Sequence, residues 1–170
     1  MGTVFIGLGS NISPDVNLPL AVKALAELRP VTRVSPVYRS TPVGGVNGGD
    51  FLNAAAALTY TARDVADLVA LKESLTLVEE RLGRVPSTSW RPRTIDLDIL
   101  HTDGLTGPYG EHWEVPHPDV SRFAHVAVPL ADIAPDALIG GRRVRDIAAE
   151  LRAAGPQLHP CDSLRLGEVA

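Results

Sequence analysis

Cysteine occurs once in these 170 residues, methionine once, and aromatic side chains make up only 5%. A lone Cys161 excludes an internal disulfide framework, and its place in a polar C-terminal stretch fits a reducing, cytoplasmic setting. No apolar run approaches the length needed to span a bilayer, and no basic segment precedes an apolar one near the N-terminus. Neither membrane anchor nor export signal is read. Positive charge is also in deficit: 16 Lys and Arg stand against 20 Asp and Glu, for a formal net charge of −4. Proteins that grip nucleic-acid backbone are usually basic, so nucleic acid is not expected as a partner. An RNA-recognition surface would also need exposed aromatics on central strands, which this composition does not supply.

What remains is an ordinary globular composition, 45% hydrophobic and 21% charged. A chain of this size forms one domain and buries roughly 70% of its unfolded surface. Thr3 to Gly9 is β-branched and apolar, and predicts a first strand closing in Gly7-Leu8-Gly9-Ser10-Asn11. Ser13-Pro14-Asp15 is a helix start, with Ser13 as cap and Pro14 at the first helical position. Leu18, Ala21, Val22, Leu25 and Leu28 give that helix its apolar face, and Pro30 ends it. Val31 to Tyr38 predicts a second strand and Phe51 to Tyr60 a third, separated by a Gly-rich loop. Thr61 to Asp64 reads as a capping box. Val65, Leu68, Leu71, Leu75, Val78 and Leu82 then form a helical stripe ending at Gly83. A fourth strand is predicted at 94–101, a short one at Trp113–Val115, and a last helix at Arg145–Ala154. The order β-α-β-β-α-β with C-terminal additions predicts an α+β, ferredoxin-like core, with helices on one face of a mainly antiparallel sheet. Residues 1–155 are expected to form the single domain and 156–170 a loose C-terminal tail.

Chemistry concentrates in Arg91-Pro92-Arg93-Thr94-Ile95-Asp96-Leu97-Asp98-Ile99-Leu100. Period-2 alternation puts Ile95, Leu97 and Ile99 on one strand face and Asp96 and Asp98 on the other. Two carboxylates at i and i+2 repel each other and need a cation between them. Carboxylate oxygens suit Mg²⁺, and Arg84, Arg91 and Arg93 nearby suit phosphate. Acid pair plus basic loop reads as nucleotide chemistry.

Other signals are weaker. Gly7-Leu8-Gly9 lacks the third glycine of a dinucleotide-binding turn, because Ile12 stands there, and no G-x-x-x-x-G-K-[ST] phosphate loop exists. His112, His117, Asp119 and His125 have no zinc-site spacing, and a histidine donating to phosphate fits His117 better. By strand parity His101 lies on the Leu97/Ile99 side, away from the acid pair. Phe51 and Asn53 share a strand face, where an aromatic plate beside an amide suits a flat heterocycle.

At this point the chain resembles the 6-hydroxymethyl-7,8-dihydropterin pyrophosphokinases of folate biosynthesis. The resemblance runs from about residue 3 to about residue 136 and is carried by Ile6-Gly7-Leu8-Gly9-Ser10-Asn11, Thr41-Pro42-Val43-Gly44, Asp50-Phe51-Leu52-Asn53, Gly83-Arg84, Trp90, Pro92-Arg93-Thr94-Ile95-Asp96-Leu97-Asp98-Ile99, Pro116-His117-Pro118 and Val128-Pro129-Leu130. It implies transfer of the β,γ-diphosphate of ATP to a pterin hydroxymethyl group, releasing AMP. Asp96 and Asp98 then match the ligands of two Mg²⁺ ions, and Arg84 and Arg93 join them in the catalytic set. Glu79, Trp90, Arg91, Arg93, Ile99, His117 and Arg122 fall in the ATP-binding set. Thr41, Pro42, Val43, Phe51, Asn53, Trp90 and Phe123 fall in the pterin-binding set, with Phe51 and Phe123 sandwiching the ring. Arg91 stands where the family pattern has Gly, and Pro86 where it often has a base. ATP and a reduced pterin are the expected partners, and a monomer the expected state. The alternative is a paralogue with another alcohol acceptor or no turnover.

Overall fold

The computed structural model describes residues 2–40, 50–83, 94–155 and 158–166. Its main sheet is built from β1 (Thr3–Ser10), β2 (Val31–Val34), β3 (Tyr38–Ser40), β4 (Phe51–Thr59), β5 (Asp96–Thr102) and β10 (His159–Pro160). The strand order is β10-β3-β4-β1-β5, with β2 also paired to β4, and every pairing is antiparallel. Helices α1 (Pro14–Leu28) and α2 (Val65–Arg81) follow β1 and β4; α3 (Ala124–Ile133) and α4 (Val144–Ala154) come late. Two small hairpins, β6 (Gly107–Tyr109) with β7 (Trp113–Val115) and β8 (Leu138–Ile139) with β9 (Arg142–Arg143), complete the order. The α+β class is therefore as expected, but the helices cover both faces of the sheet instead of one.

The reason lies in β4. Its seven central residues are all buried, so neither face can be left to water. On one face Leu52, Ala54, Ala56 and Leu58 join Val4, Ile6 and Leu8 of β1 under Leu18, Val22 and Leu25 of α1 and Leu68, Leu71 and Leu75 of α2. On the other, Ala55 and Ala57 join Phe5 and Leu100 under Ala127, Leu130 and Ile133 of α3 and Val144 and Ile147 of α4. Alanine at the sheet centre keeps both layers close. Sequence periodicity does not predict α3, because Pro129 lies inside it and almost every other residue is apolar.

Smaller departures have local causes. The strand expected over 31–38 is split at Pro36, which has no N–H to give the ladder. Ser35 bridges the break: its N–H donates to the Ala55 carbonyl and its Oγ accepts from the Ala55 N–H, both at 2.8 Å. Ser13 does not cap α1 with its side chain; it sits at φ 42°, and its carbonyl accepts from Val16 and Asn17. The capping box is displaced to Asp64, whose carboxylate accepts from Asp67 N–H, while Asp67 accepts in return from Arg63 N–H.

A bulge matters more. Ile6 pairs with Ile99 but Phe5 with His101, so Leu100 is an extra residue on β5. It resets the alternation, and His101 stacks on Phe5 at 6.0 Å instead of following the Leu97/Ile99 face. The parity argument fails there. Burial holds the His101 pKa below the ordinary value, against the pull of Asp103.

Within the stretch expected as a loose tail, the described residues 158–166 are anchored. Residues 159–160 add a strand to the edge at β3, and Cys161 N–H donates to the Val37 carbonyl at 2.8 Å. Leu158 joins the α3/α4 core, whereas Cys161 and Leu166 join the α1/α2 core. The chain thus wraps the sheet edge from one face to the other. Cys161 is a buried apolar contact, not part of a polar tail. Among the described residues, no helix is long and apolar enough to cross a membrane.

Candidate active site

The register across three strands sets the site. Gly9 lies between Asn53 on β4 and Asp96 on β5; two residues further along, Gly7 lies between Ala55 and Asp98. Adjacent strands are about 4.8 Å apart, so Asn53 and Asp96 face each other across roughly 10 Å of glycine floor. The two glycines differ. A Cβ on Gly7 would press on the Leu100 side chain at 3.1 Å, so that position is already filled from above. Among the described residues, a Cβ on Gly9 would meet only Asn53 Oδ1 at 3.6 Å and the Phe51 ring at 3.9 Å. Gly9 therefore keeps open a slot bordered by an aromatic edge, an amide oxygen and a carboxylate.

Asn53 is buried and held firmly. Its Nδ2 donates to Ser40 Oγ at 2.7 Å and to the Tyr38 carbonyl at 3.3 Å, which fixes Oδ1 toward the slot. Phe51, partly buried, is the first residue of β4. Phe123 caps α3 and stacks on His125 at 5.2 Å between ring centres.

At the other end of the floor the carboxylates dominate. Burial pushes the Asp98 pKa up, and the charge of Asp96 pushes it further; Lys72 and His117 pull it down. The pair carries the repulsion expected of two acids on one strand face. His117 is fastened by its backbone N–H to the Leu100 carbonyl at 2.8 Å, and its Nδ1 accepts from Asp119 N–H at 3.1 Å. That bond assigns the proton of the neutral ring to Nε2, leaving a donor for an anion. The peptide before Pro116 is cis. His125, for which no role is read from the sequence, is close enough for Asp119 and Asp96 to raise its pKa, but burial outweighs them and lowers it.

Two side chains of α2 also reach β5. Lys72 Nζ donates to the Leu97 carbonyl at 2.8 Å and pairs with Asp98 Oδ1 at 3.3 Å; Glu79 Oε2 accepts from Leu97 N–H at 3.1 Å. Both side chains are buried. Nothing in the amphipathic stripe of α2 singles out Lys72, since a lysine in a helix is ordinarily solvated. The one available signal is position: residues 72, 75 and 79 lie on one helix face, among the leucines.

Of the residues expected at the site, Asp96, Asp98, Asn53 and Phe51 converge on the floor, with His117 beside Asp98. Arg122 is exposed at the end of the 3-10 turn Pro118–Ser121. The Ile99 side chain is not brought in: it is 1% exposed in the core beneath α1 and α2, leaving only its backbone for a ligand. Thr41, Pro42, Val43, Arg84, Trp90, Arg91 and Arg93 lie outside the described residues.

The donor set fits magnesium. Two carboxylates that repel each other offer hard oxygen ligands and too few of them to fill an octahedron. Among the described residues no third His, Cys, Asp or Glu completes a cage. Mg²⁺ typically takes its remaining ligands from substrate phosphates and water.

Fold and site together define an α+β protein with an acid pair at one end of a glycine floor and a buried amide beside an aromatic ring at the other. Residues 5–135 match the family of 7,8-dihydro-6-hydroxymethylpterin-pyrophosphokinases, to which this chain belongs. A protein of Methylorubrum extorquens named 2-amino-4-hydroxy-6-hydroxymethyldihydropteridine pyrophosphokinase is 40% identical over 159 residues, 91% of this chain and 97% of that one. One of the same name from Pseudomonas aeruginosa is 38% identical over 86% of this chain and 90% of its own length. Among solved structures, a Plasmodium falciparum HPPK-DHPS chain superposes with a TM-score of 0.64 at 13% identity, over 90% of this chain and 44% of that one. At that identity the likeness concerns fold, and this chain spans less than half of the fused protein.

Proposed function

We propose that this chain transfers the β,γ-diphosphate of ATP to the hydroxymethyl oxygen of 6-hydroxymethyl-7,8-dihydropterin, releasing AMP, as a cytoplasmic monomer in folate biosynthesis. The observation that carries the reading is the row Asn53–Gly9–Asp96, which sets a heterocycle slot and a metal-ligating acid on one floor. The pterin lies over Gly9, with Phe51 and Phe123 against its faces and Asn53 Oδ1 accepting from its edge. Thr41, Pro42 and Val43 supply backbone partners. That pose points the hydroxymethyl group at Asp96.

Asp96 and Asp98 would hold the two Mg²⁺ ions together with the triphosphate, and the ions would supply positive charge against the phosphates and the attacking oxygen. His117 Nε2 donates to the nucleotide phosphates, joined by Arg122, Arg84, Arg91 and Arg93. Charge leaving with AMP is largest at the bridging oxygen, where guanidinium groups act best. The hydroxymethyl oxygen gives up its proton to solvent and forms its bond to the β phosphorus as the bond from that phosphorus to the α–β bridging oxygen breaks, the electron pair leaving with AMP. Trp90 belongs to both the nucleotide and the pterin sets, while the Ile99 backbone and Glu79 border the nucleotide.

The direct test supplies ATP, Mg²⁺ and the pterin and separates AMP from ADP. Pterin-dependent AMP is expected. ADP would mean transfer of a single phosphoryl group and a wrong mechanism, and tight pterin binding without turnover would favour a paralogue. A second expectation concerns the slot. Gly9 needs no positive φ, so Gly9→Val should fold, yet its methyls would fill the space beside Phe51 and Asn53. The KM for pterin should rise about 10- to 200-fold with a smaller change in kcat, the usual scale for one misplaced aliphatic group. Steady-state kinetics beside a melting curve decide it; an unchanged KM would move the pterin elsewhere.

A further inference from the structure

Strand β5 ends the sheet, so on its outer side the backbone of Leu97 has no strand to pair with among the described residues. Helix α2 supplies the missing partners from its side chains: Lys72 for the carbonyl and Glu79 for the N–H, two turns apart on one face. An amide side chain would serve the carbonyl equally well. A buried lysine is costly unless its charge is matched, and here the match is Asp98, at 3.3 Å. Trp113 covers the ammonium from the other side, with its ring centre 5.5 Å away. Lys72 is thus enclosed by α2, β5 and the β6–β7 hairpin and has little freedom to withdraw.

We propose that Lys72 is the resident counter-ion of the carboxylate pair: it offsets part of the Asp96/Asp98 charge, sets their affinity for free divalent cation low, and makes metal enter together with nucleotide. The inference rests on the acid pair being the metal site of the proposed reaction. A dication on Asp98 would lie within a few ångströms of the ammonium, where repulsion exceeds thermal energy even at an effective dielectric constant of about 20. Free Mg²⁺ meets that repulsion without compensation. The nucleotide complex of Mg²⁺ brings phosphate charge that the ammonium attracts. Lys72 also holds Asp98 through Oδ1. It is a positioning residue, since it acts through Asp98.

The test is titration of the full chain with Mn²⁺ in the absence of nucleotide, followed by electron paramagnetic resonance of the free ion. Lys72→Gln keeps a donor for Leu97 and removes the charge; Lys72→Met, of similar length, is titrated beside it in case one of the two fails to fold. Lys72→Arg keeps the charge. Both neutral variants should bind Mn²⁺ at least about tenfold more tightly than the wild type, a modest part of what the Coulomb repulsion allows. Lys72→Arg should bind like the wild type, and adding Asp98→Asn to Lys72→Gln should abolish the gain. Equal or weaker binding by the neutral variants would overturn the inference and leave Lys72 a backbone clamp. Pterin-dependent AMP formation by the wild type is measured in parallel. Tighter Mn²⁺ binding by the neutral variants without wild-type AMP would overturn the reaction and keep the counter-ion. Wild-type AMP with unchanged Mn²⁺ affinity would do the reverse.

Discussion

Asp96→Ala is expected to lower pterin-dependent AMP formation by about 10³-fold or more, the scale on which single groups facing transition-state charge act. The loss should fall on kcat, because Asn53 and the Gly9 slot that receive the pterin are untouched. Stability should not follow activity. Asp96 is a like charge that pushes up the Asp98 pKa, so removing it relieves a repulsion inside the fold. The variant should melt at or above the wild-type temperature, and the Asp98 pKa should fall toward the ordinary carboxylate range. Chelation of Mg²⁺ in the wild type should reproduce the kinetic loss and be reversed by readdition. A variant that keeps most of its turnover would remove Asp96 from the reaction. A variant that melts well below the wild type would make it a structural acid.

Leu166→Ala should destabilise the protein by about 2–5 kcal/mol, the range for a buried leucine whose cavity cannot collapse. Leu166 is 1% exposed and packs in the same core as Leu18, Leu25 and Leu75. The loss is carried by that packing, because residues 159–160 pair only briefly with β3. Denaturant unfolding checks this: the midpoint should drop with little change in slope, since the same surface is exposed on unfolding. A shift within experimental error would return residues after 155 to a dispensable tail. The consequence reaches the site, because β10 lies against β3, whose Ser40 and Tyr38 hold Asn53 in place.

The relation of Lys72 to these variants is also open to measurement. If Lys72 offsets the acid pair, Asp96→Ala halves the charge it has to match. The gain in free Mn²⁺ binding from neutralising Lys72 should then be smaller in that background than in the wild type.

By itself the sequence determined those properties that depend on short-range pattern. Alternation from Thr94 to Ile99 fixed Asp96 and Asp98 on one face, and β5 carries them there because strand geometry leaves no other option. The stripe from Leu68 to Val78 determined α2 and the apolar spacing in 14–28 determined α1, each a case in which one face must be buried. The family motifs were legible for the same reason, since they are runs of adjacent residues.

Tertiary structure decided whatever depends on partners distant in the chain. No pattern in Asp50–Asn53 reveals that Asn53 lies opposite Gly9, or that Gly9 lies opposite Asp96; register among three strands does that. The extra residue at Leu100 turned His101 away from its expected face, and a bulge has no local signature in an apolar run. Helix α3 was hidden by Pro129 and by being apolar all round, as a helix between a sheet and another helix must be. The tail gained order from an open strand edge at β3 and two cores to fill, neither present in its own composition. Lys72 is the clearest case. On its own helix it reads as a solvated charge, and only the packing of α2 against an edge strand brings its ammonium to Asp98.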